Sequence, residues 1–204
     1  MRNAGGGTYW RLPHGVTGDS FFSEDGEHRY WLTRTWDASG PLCVFVGLNP
    51  STADERYPPC RGDDPTVRFC WRRAQHWQFG GFAMLNLYAY RHTSPSCMWE
   101  AHVKRGADII GDNDQHLEAW AQRAAESSGG RHLLGEGGRV FVAWGILPPN
   151  PPDYRARAAA VTAMLSRHSD ICCLAKVGPG KAFPRHPRGC KRDTTPEQWA
   201  RKNA

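Results

Sequence analysis

Apolar residues in this chain gather in short unbroken runs, separated by longer stretches with helical spacing. Leu42 to Leu48 is apolar or glycine at every position and is closed by Asn49-Pro50. A run with no polar face reads as a strand covered on both sides, as in a parallel sheet. Phe82 to Leu87, Arg139 to Trp144 and Asp170 to Ala175 read as three further central strands. Between them the spacing predicts helices. Pro65 to Trp77 has Asp64 as its cap, Pro65 at its first position, and Val67, Trp71 and Ala74 on one face. Gly80-Gly81 ends it. Further helices are predicted from Ser94-Pro95 to about Gly106, over Asn113 to Ala125, and over Asp153 to Ser166. Strands alternating with helices predict an α/β fold: one domain over 1–204, with three α/β/α layers around a central, mostly parallel, four-stranded sheet. His28 to Trp36 alternates less cleanly and reads as an edge strand. Residues 1–25 read as a loose arm, with a short strand near Phe21-Phe22. Residues 191–204 read as a tail in which Thr195-Pro196-Glu197 starts a short helix.

Composition narrows the class. With 204 residues and 40% hydrophobic content the chain is long enough for one real core, and nine Trp leave a surplus for stacking surfaces. The net charge of +6 favours an acidic partner, nucleic acid first, although a mildly basic soluble protein has the same balance. The seven Cys are odd in number and contain no C-x-x-C pair, so free thiols in a reducing cytoplasm are expected. Met1 to Gly7 is polar and Gly-rich, unlike a secretory signal, and no apolar stretch approaches the ~20 residues of a membrane span. A cytoplasmic monomer away from membranes is the expectation.

Sites in open α/β sheets form where strands end at their carboxyl side. Asn49 stands there, held out of helical space by Pro50, to position a water or a ligand edge, or simply to bond its own turn. Asn86 sits inside a strand-like run, where a buried amide is costly without partners; its donor and acceptor match the edge of a nucleobase. His186, between Arg185 and Pro187, is placed to hydrogen-bond a leaving-group oxygen, or is a surface histidine. Asp54, Asp63 and Asp64 offer carboxylates near Asn49; one could polarise water, and Asp64 is better used as a cap. Arg68, Arg72, Arg73 and Arg91 form one basic set. Lys181, Arg185, Arg188, Lys191 and Arg192 form another around His186, as a phosphate-gripping rim or a solvated face.

Together, Gly47-Leu48-Asn49-Pro50, Met84-Leu85-Asn86, Phe141 to Gly145 and His186-Pro187 resemble, in order and rough spacing, the four motifs of the uracil-DNA glycosylase superfamily. The opening Gly-Leu-Asn-Pro-Ser-Thr-Ala-Asp is also similar to a bacterial and phage branch with antiviral DNA glycosylases that remove hypermodified bases. The resemblance covers about Leu42 to Gly189. It implies that Asn49 positions the hydrolytic water, with Asp54 a further candidate catalytic carboxylate. Asn86 would read the base, with Gly47 and Ser51 beside it, His186 would stabilise the departing base, and Gly145 would allow a close approach. It also implies DNA contacts from Arg68, Arg91, Lys181, Arg185, Arg188 and Lys191. Neither metal nor organic cofactor is implied.

Two departures refine this. Ser51 stands where the uracil-specific branch has a Tyr that blocks substituents at C5 of the base, so a pyrimidine enlarged at C5 would fit. Arg188-Gly189 replaces the stretch bearing the wedging Leu. The expected activity is flipping and hydrolysis of a modified pyrimidine nucleotide, such as glucosylated hydroxymethylcytosine of phage DNA, leaving an abasic site as a defence. The alternatives are uracil or mismatch repair, a hydrolase of free modified nucleotides, and a non-catalytic module that binds a modified base.

Overall fold

The computed structural model describes residues 12–51, 64–127, 130–147, 151–191 and 193–202. Seven strands form one twisted sheet: β1 (Thr17–Phe22), β2 (Arg29–Thr35), β3 (Leu42–Gly47), β4 (Gly81–Asn86), β5 (Arg139–Val142), β6 (Ile171–Cys173) and β7 (Glu197–Ala200). Their spatial order is β1-β2-β4-β3-β5-β6-β7. The pairings β4-β3, β3-β5 and β5-β6 are parallel, while β1-β2, β2-β4 and β6-β7 are antiparallel. The sheet is therefore mixed and larger than the four strands predicted; the four apolar runs are its parallel centre.

The helices are α1 (Pro65–His76), α2 (Pro95–Arg105), α3 (Asn113–Glu126) and α4 (Pro152–Ser166). Alternation along the central strands divides the core in two. Val44, Val46, Leu85 and Val142 face Met98 of α2, Leu117 and Ala121 of α3, and Val161 and Leu165 of α4. Cys43, Phe45, Phe82 and Phe141 face Val67, Cys70 and Ala74 of α1. On that second side Phe141 stacks on Phe45 and on Trp77, each at 5.0 Å between centroids. All of these side chains are buried, which is why the runs carry no polar position.

The helix boundaries have local causes. Asp64 accepts from the Thr66 and Val67 amides, and Ser94 caps α2 by accepting from the Cys97 amide. Gly106, at φ 64°, closes α2 in the left-handed conformation.

Three expectations are corrected at the margins. β2 lies inside the sheet, between β1 and β4, because β1 covers it; the arm over 1–25 thus contains a full strand from Thr17 on. Residues 197–200 pair with β6 as a strand instead of forming a helix, since sheet pairing and the packing of Trp199 on the core outweigh the cap-like Thr195-Pro196-Glu197. Two short hairpins, Arg131–His132 with Gly135–Glu136 and Lys176–Val177 with Phe183–Pro184, lie in segments for which the pattern predicts no strand. No helix among the described residues is long and apolar enough to cross a membrane.

Candidate functional site

β3 leads through α1, on one face, to β4, while its other neighbour β5 leads through α4, on the opposite face, to β6, so the connections leaving β3 and β5 diverge. That arrangement opens a crevice at the ends of the parallel strands. Here it is a cleft of about 360 Å³. It brings together Gly47, Asn49, Ser51, Asn86, Gly145, His186 and Arg188, residues from all four sequence motifs.

Asn86 ends β4 and is 2% exposed. Its backbone is clamped from below. Asn113 Nδ2 donates to the Asn86 carbonyl at 2.8 Å and to the Leu87 carbonyl at 3.2 Å. Arg157 donates to the Leu87 carbonyl from Nε at 3.0 Å and from Nη2 at 2.9 Å, and pairs with Asp114 through both carboxylate oxygens. The Asn86 side chain is treated differently: its Nδ2 is buried and has no hydrogen-bond partner among the described residues. Such a group costs about 1–3 kcal/mol unless something accepts from it. Gly47 explains the close fit on the other side. A Cβ there would lie 2.7 Å from Asn86 Oδ1 and 2.8 Å from Met84 Cε, so only glycine leaves the carboxamide in place.

Asn49 follows β3. Its Nδ2 donates to the His92 carbonyl at 2.7 Å and the Pro50 carbonyl at 3.3 Å. Two carbonyls fix which end of the amide is nitrogen, so the oxygen is the acceptor left to orient a water or a ligand donor. The Ser51 hydroxyl donates to one oxygen of Asp64, whose other oxygen caps α1. Asp64 is therefore both a cap and part of the cleft wall.

His186 precedes a short turn, Pro187–Gly189, and its Nδ1 accepts from the Arg188 amide at 3.2 Å. The proton consequently sits on Nε2, which makes that nitrogen a donor. Burial pushes the imidazole pKa below its ordinary value, the Arg188 charge pushes it further, and Asp64 partly opposes them. The ring is held neutral near pH 7. Gly145 packs against this loop: at φ 76°, an added Cβ would lie 3.2 Å from His186 Cβ. The close approach expected at Gly145 is thus to the histidine loop. Its carbonyl accepts from Tyr154 Oη at 2.6 Å.

Other predicted residues fall elsewhere. Asp54 and Asp63 lie outside the described residues. Arg68 and Arg188 line a neighbouring groove, and Arg188 also lines the cleft. Arg91 donates to the Gly26 carbonyl, and its guanidinium lies 4.9 Å from the centroid of Phe22, so it anchors the β1–β2 turn. Arg185 donates to Gly189 within its own loop. Lys181 and Lys191 are exposed and line neither the cleft nor the groove.

Sequence reasoning missed Arg29, His92 and Thr93, which also line the cleft. Arg29 is buried at the start of β2. His92 links two turns: its carbonyl holds Asn49, its amide donates to Pro50, and its Nδ1 accepts from the Ser94 amide. The one sequence signal for it is its place just before the Ser94-Pro95 cap.

A family model described as a protein of unknown function (DUF1643) matches residues 29–188. No curated protein and no solved structure matches the chain.

Proposed function

The chain belongs to the DUF1643 family, and for its cleft we propose the binding of a flipped pyrimidine nucleotide and hydrolysis of its N-glycosidic bond. The observation that carries this reading is the buried Asn86 Nδ2, unpartnered among the described residues, beside a neutral His186 and the fixed amide of Asn49. Among the polar residues lining the cleft, neutral ones that donate and accept hydrogen bonds outnumber the charged Arg29, Asp64 and Arg188, which suits a base edge set against apolar walls. In this reading Asn86 donates to an acceptor on the base. His186 Nε2–H meets the base oxygen on which negative charge grows as the bond to the sugar breaks. Asn49 Oδ1 orients the water that attacks the sugar carbon, and the water's proton passes to solvent or to the departing base. The four-motif resemblance to uracil-DNA glycosylases agrees with these roles. Ser51, small and turned onto Asp64, leaves room for a base enlarged at C5. Base hydrolysis of phage DNA modified in this way would act as defence.

A second reading, a non-catalytic binder of modified bases, is favoured by one feature. An amide at position 49 cannot take a proton from water as a carboxylate does.

Mass spectrometry of bases released from DNAs carrying uracil, cytosine, hydroxymethylcytosine or glucosylated hydroxymethylcytosine separates the readings. Release of a C5-enlarged base, abolished by Asn49→Ala and by Asn86→Ala, is expected. Asn86→Ala should not destabilise the protein by more than about 1 kcal/mol, since Nδ2 has no partner to lose among the described residues and the cost of burying it is removed. Tight binding of modified DNA with no base released would establish the binder. Neither binding nor release would refute both.

A further inference from the structure

Beside the cleft lies a second, more open groove of about 590 Å³, lined by Pro65, Arg68, Phe69, Arg72, Arg73 and Arg188 among others. Pro65 and Arg188 line both depressions, so they meet along a common rim. Resting on the reading of the cleft as a nucleotide site, we propose that this groove holds the phosphodiester backbone of the strand flanking the bound nucleotide.

The charge arrangement carries the proposal. Arg68 and Arg72 are one turn apart on α1, Arg73 follows, and Arg188 comes from the loop after His186. None of the four takes part in an ion pair among the described residues. Two described carboxylates are near, and against four guanidiniums they leave the groove positive. Asp193 acts on Arg73 only through space, and burial lowers the Arg73 pKa against it. Asp64, at the rim, already accepts from Ser51, Thr66 and Val67. Guanidiniums gathered in this way repel one another, and a polyanion relieves that repulsion. Guanidinium also matches phosphate in geometry, with two parallel N–H donors per group. The walls contribute apolar surface from Phe69, Pro65 and Pro187. An aromatic ring beside a basic track is the pairing that holds a single strand, charge on the phosphates and a π face for a base.

This places the grip on the α1 side of the cleft. Arg91 and Arg185 spend donors on Gly26 and Gly189. Lys181 and Lys191 lie away from the rim.

The test uses an unmodified single-stranded oligonucleotide, with affinity measured by fluorescence anisotropy over a series of salt concentrations. For Arg68→Gln, Arg72→Gln and Arg73→Gln, binding should weaken several-fold each. The slope of log affinity against log salt should shrink by roughly 0.7 for each phosphate no longer gripped. Lys181→Gln and Lys191→Gln should leave both unchanged. Arg72 is exposed, so its substitution spares the fold, and circular dichroism checks all five variants. An unchanged slope in the groove variants would overturn the proposal. So would a nucleoside monophosphate that binds as tightly as the oligonucleotide with the same arginine dependence, because the groove would then serve a free phosphate. Since the oligonucleotide carries no base to be removed, these outcomes are independent of the base-release assay.

Discussion

Asn49 shows how one amide is selected by its surroundings. Its nitrogen donates to two carbonyls, His92 and Pro50. A carboxylate at this position would turn an oxygen onto both of them. It would have to take up a proton to keep a hydrogen bond to the His92 carbonyl, or stay charged, swing away and lose it. We therefore expect Asn49→Asp to destabilise the protein by about 1–3 kcal/mol, measured by urea unfolding. It should also fail to accelerate base release. A stable and faster Asn49→Asp variant would show that the His92 carbonyl does not constrain the site. This preference was hidden in the sequence, because Gly-Leu-Asn-Pro does not reveal that residue 92 comes back to meet it. Asn49 and Asn86 were themselves legible as candidates, the one following and the other ending an apolar run, whereas His186 stands in a basic loop. Arg29 and Thr93 were not legible: Arg29 opens β2, whose alternation does not reveal that this end meets the cleft, and Thr93 is brought inward only by the folded turn.

At the scale of elements, β4 is a strand whose last carbonyl, Asn86, and the next one along, Leu87, are held by helices behind it. Asn113 opens α3 and Arg157 lies on α4, so two helices fix the end of one strand. Neither residue touches the cleft; both act by positioning Asn86. Asn113→Ala or Arg157→Ala should reduce kcat for base release at least tenfold with a smaller change in KM. Arg157→Lys should rescue only part of the loss, since Lys lacks the fork that spans Asp114 and Leu87. Equal losses in both parameters would point to a general loosening of the fold instead. The central strands could be read from the sequence because apolar runs closed by turn residues have few other uses. β1 and β7 could not. They are edge strands whose outer positions are largely polar, and β7 exists only because Glu197 and Gln198 find Cys173 and Cys172 across the sheet.

At the scale of the whole molecule, three histidines set an acid limit. Burial holds His116, His132 and His186 below the ordinary imidazole value of 6.5. His132 stacks on Phe79 at 4.2 Å and His116 on Tyr30 at 4.5 Å, so ring packing accounts for two of them. On acidification the unfolded chain takes up these protons first. Stability is complete above about pH 6.5 and declines as pH falls through the lowered folded values. Thermal midpoints should drop between pH 7 and pH 5, and the drop should be shallower in His132→Gln; a flat profile over that range would contradict it. Activity that depends on neutral His186 should persist to lower pH than an ordinary histidine would permit.

Asp64 has one further consequence. It joins Ser51, on the wall of the cleft, to the first turn of α1, the helix that carries Arg68, Arg72 and Arg73. A helix of 12 residues moves as a rod, so a pull on its arginines is delivered to the Ser51 wall. For a substrate held at both places, binding several ångströms from the reacting bond becomes a means of pressing the base into its reactive position. A fragment lacking the flanking strand would then lose turnover as well as affinity.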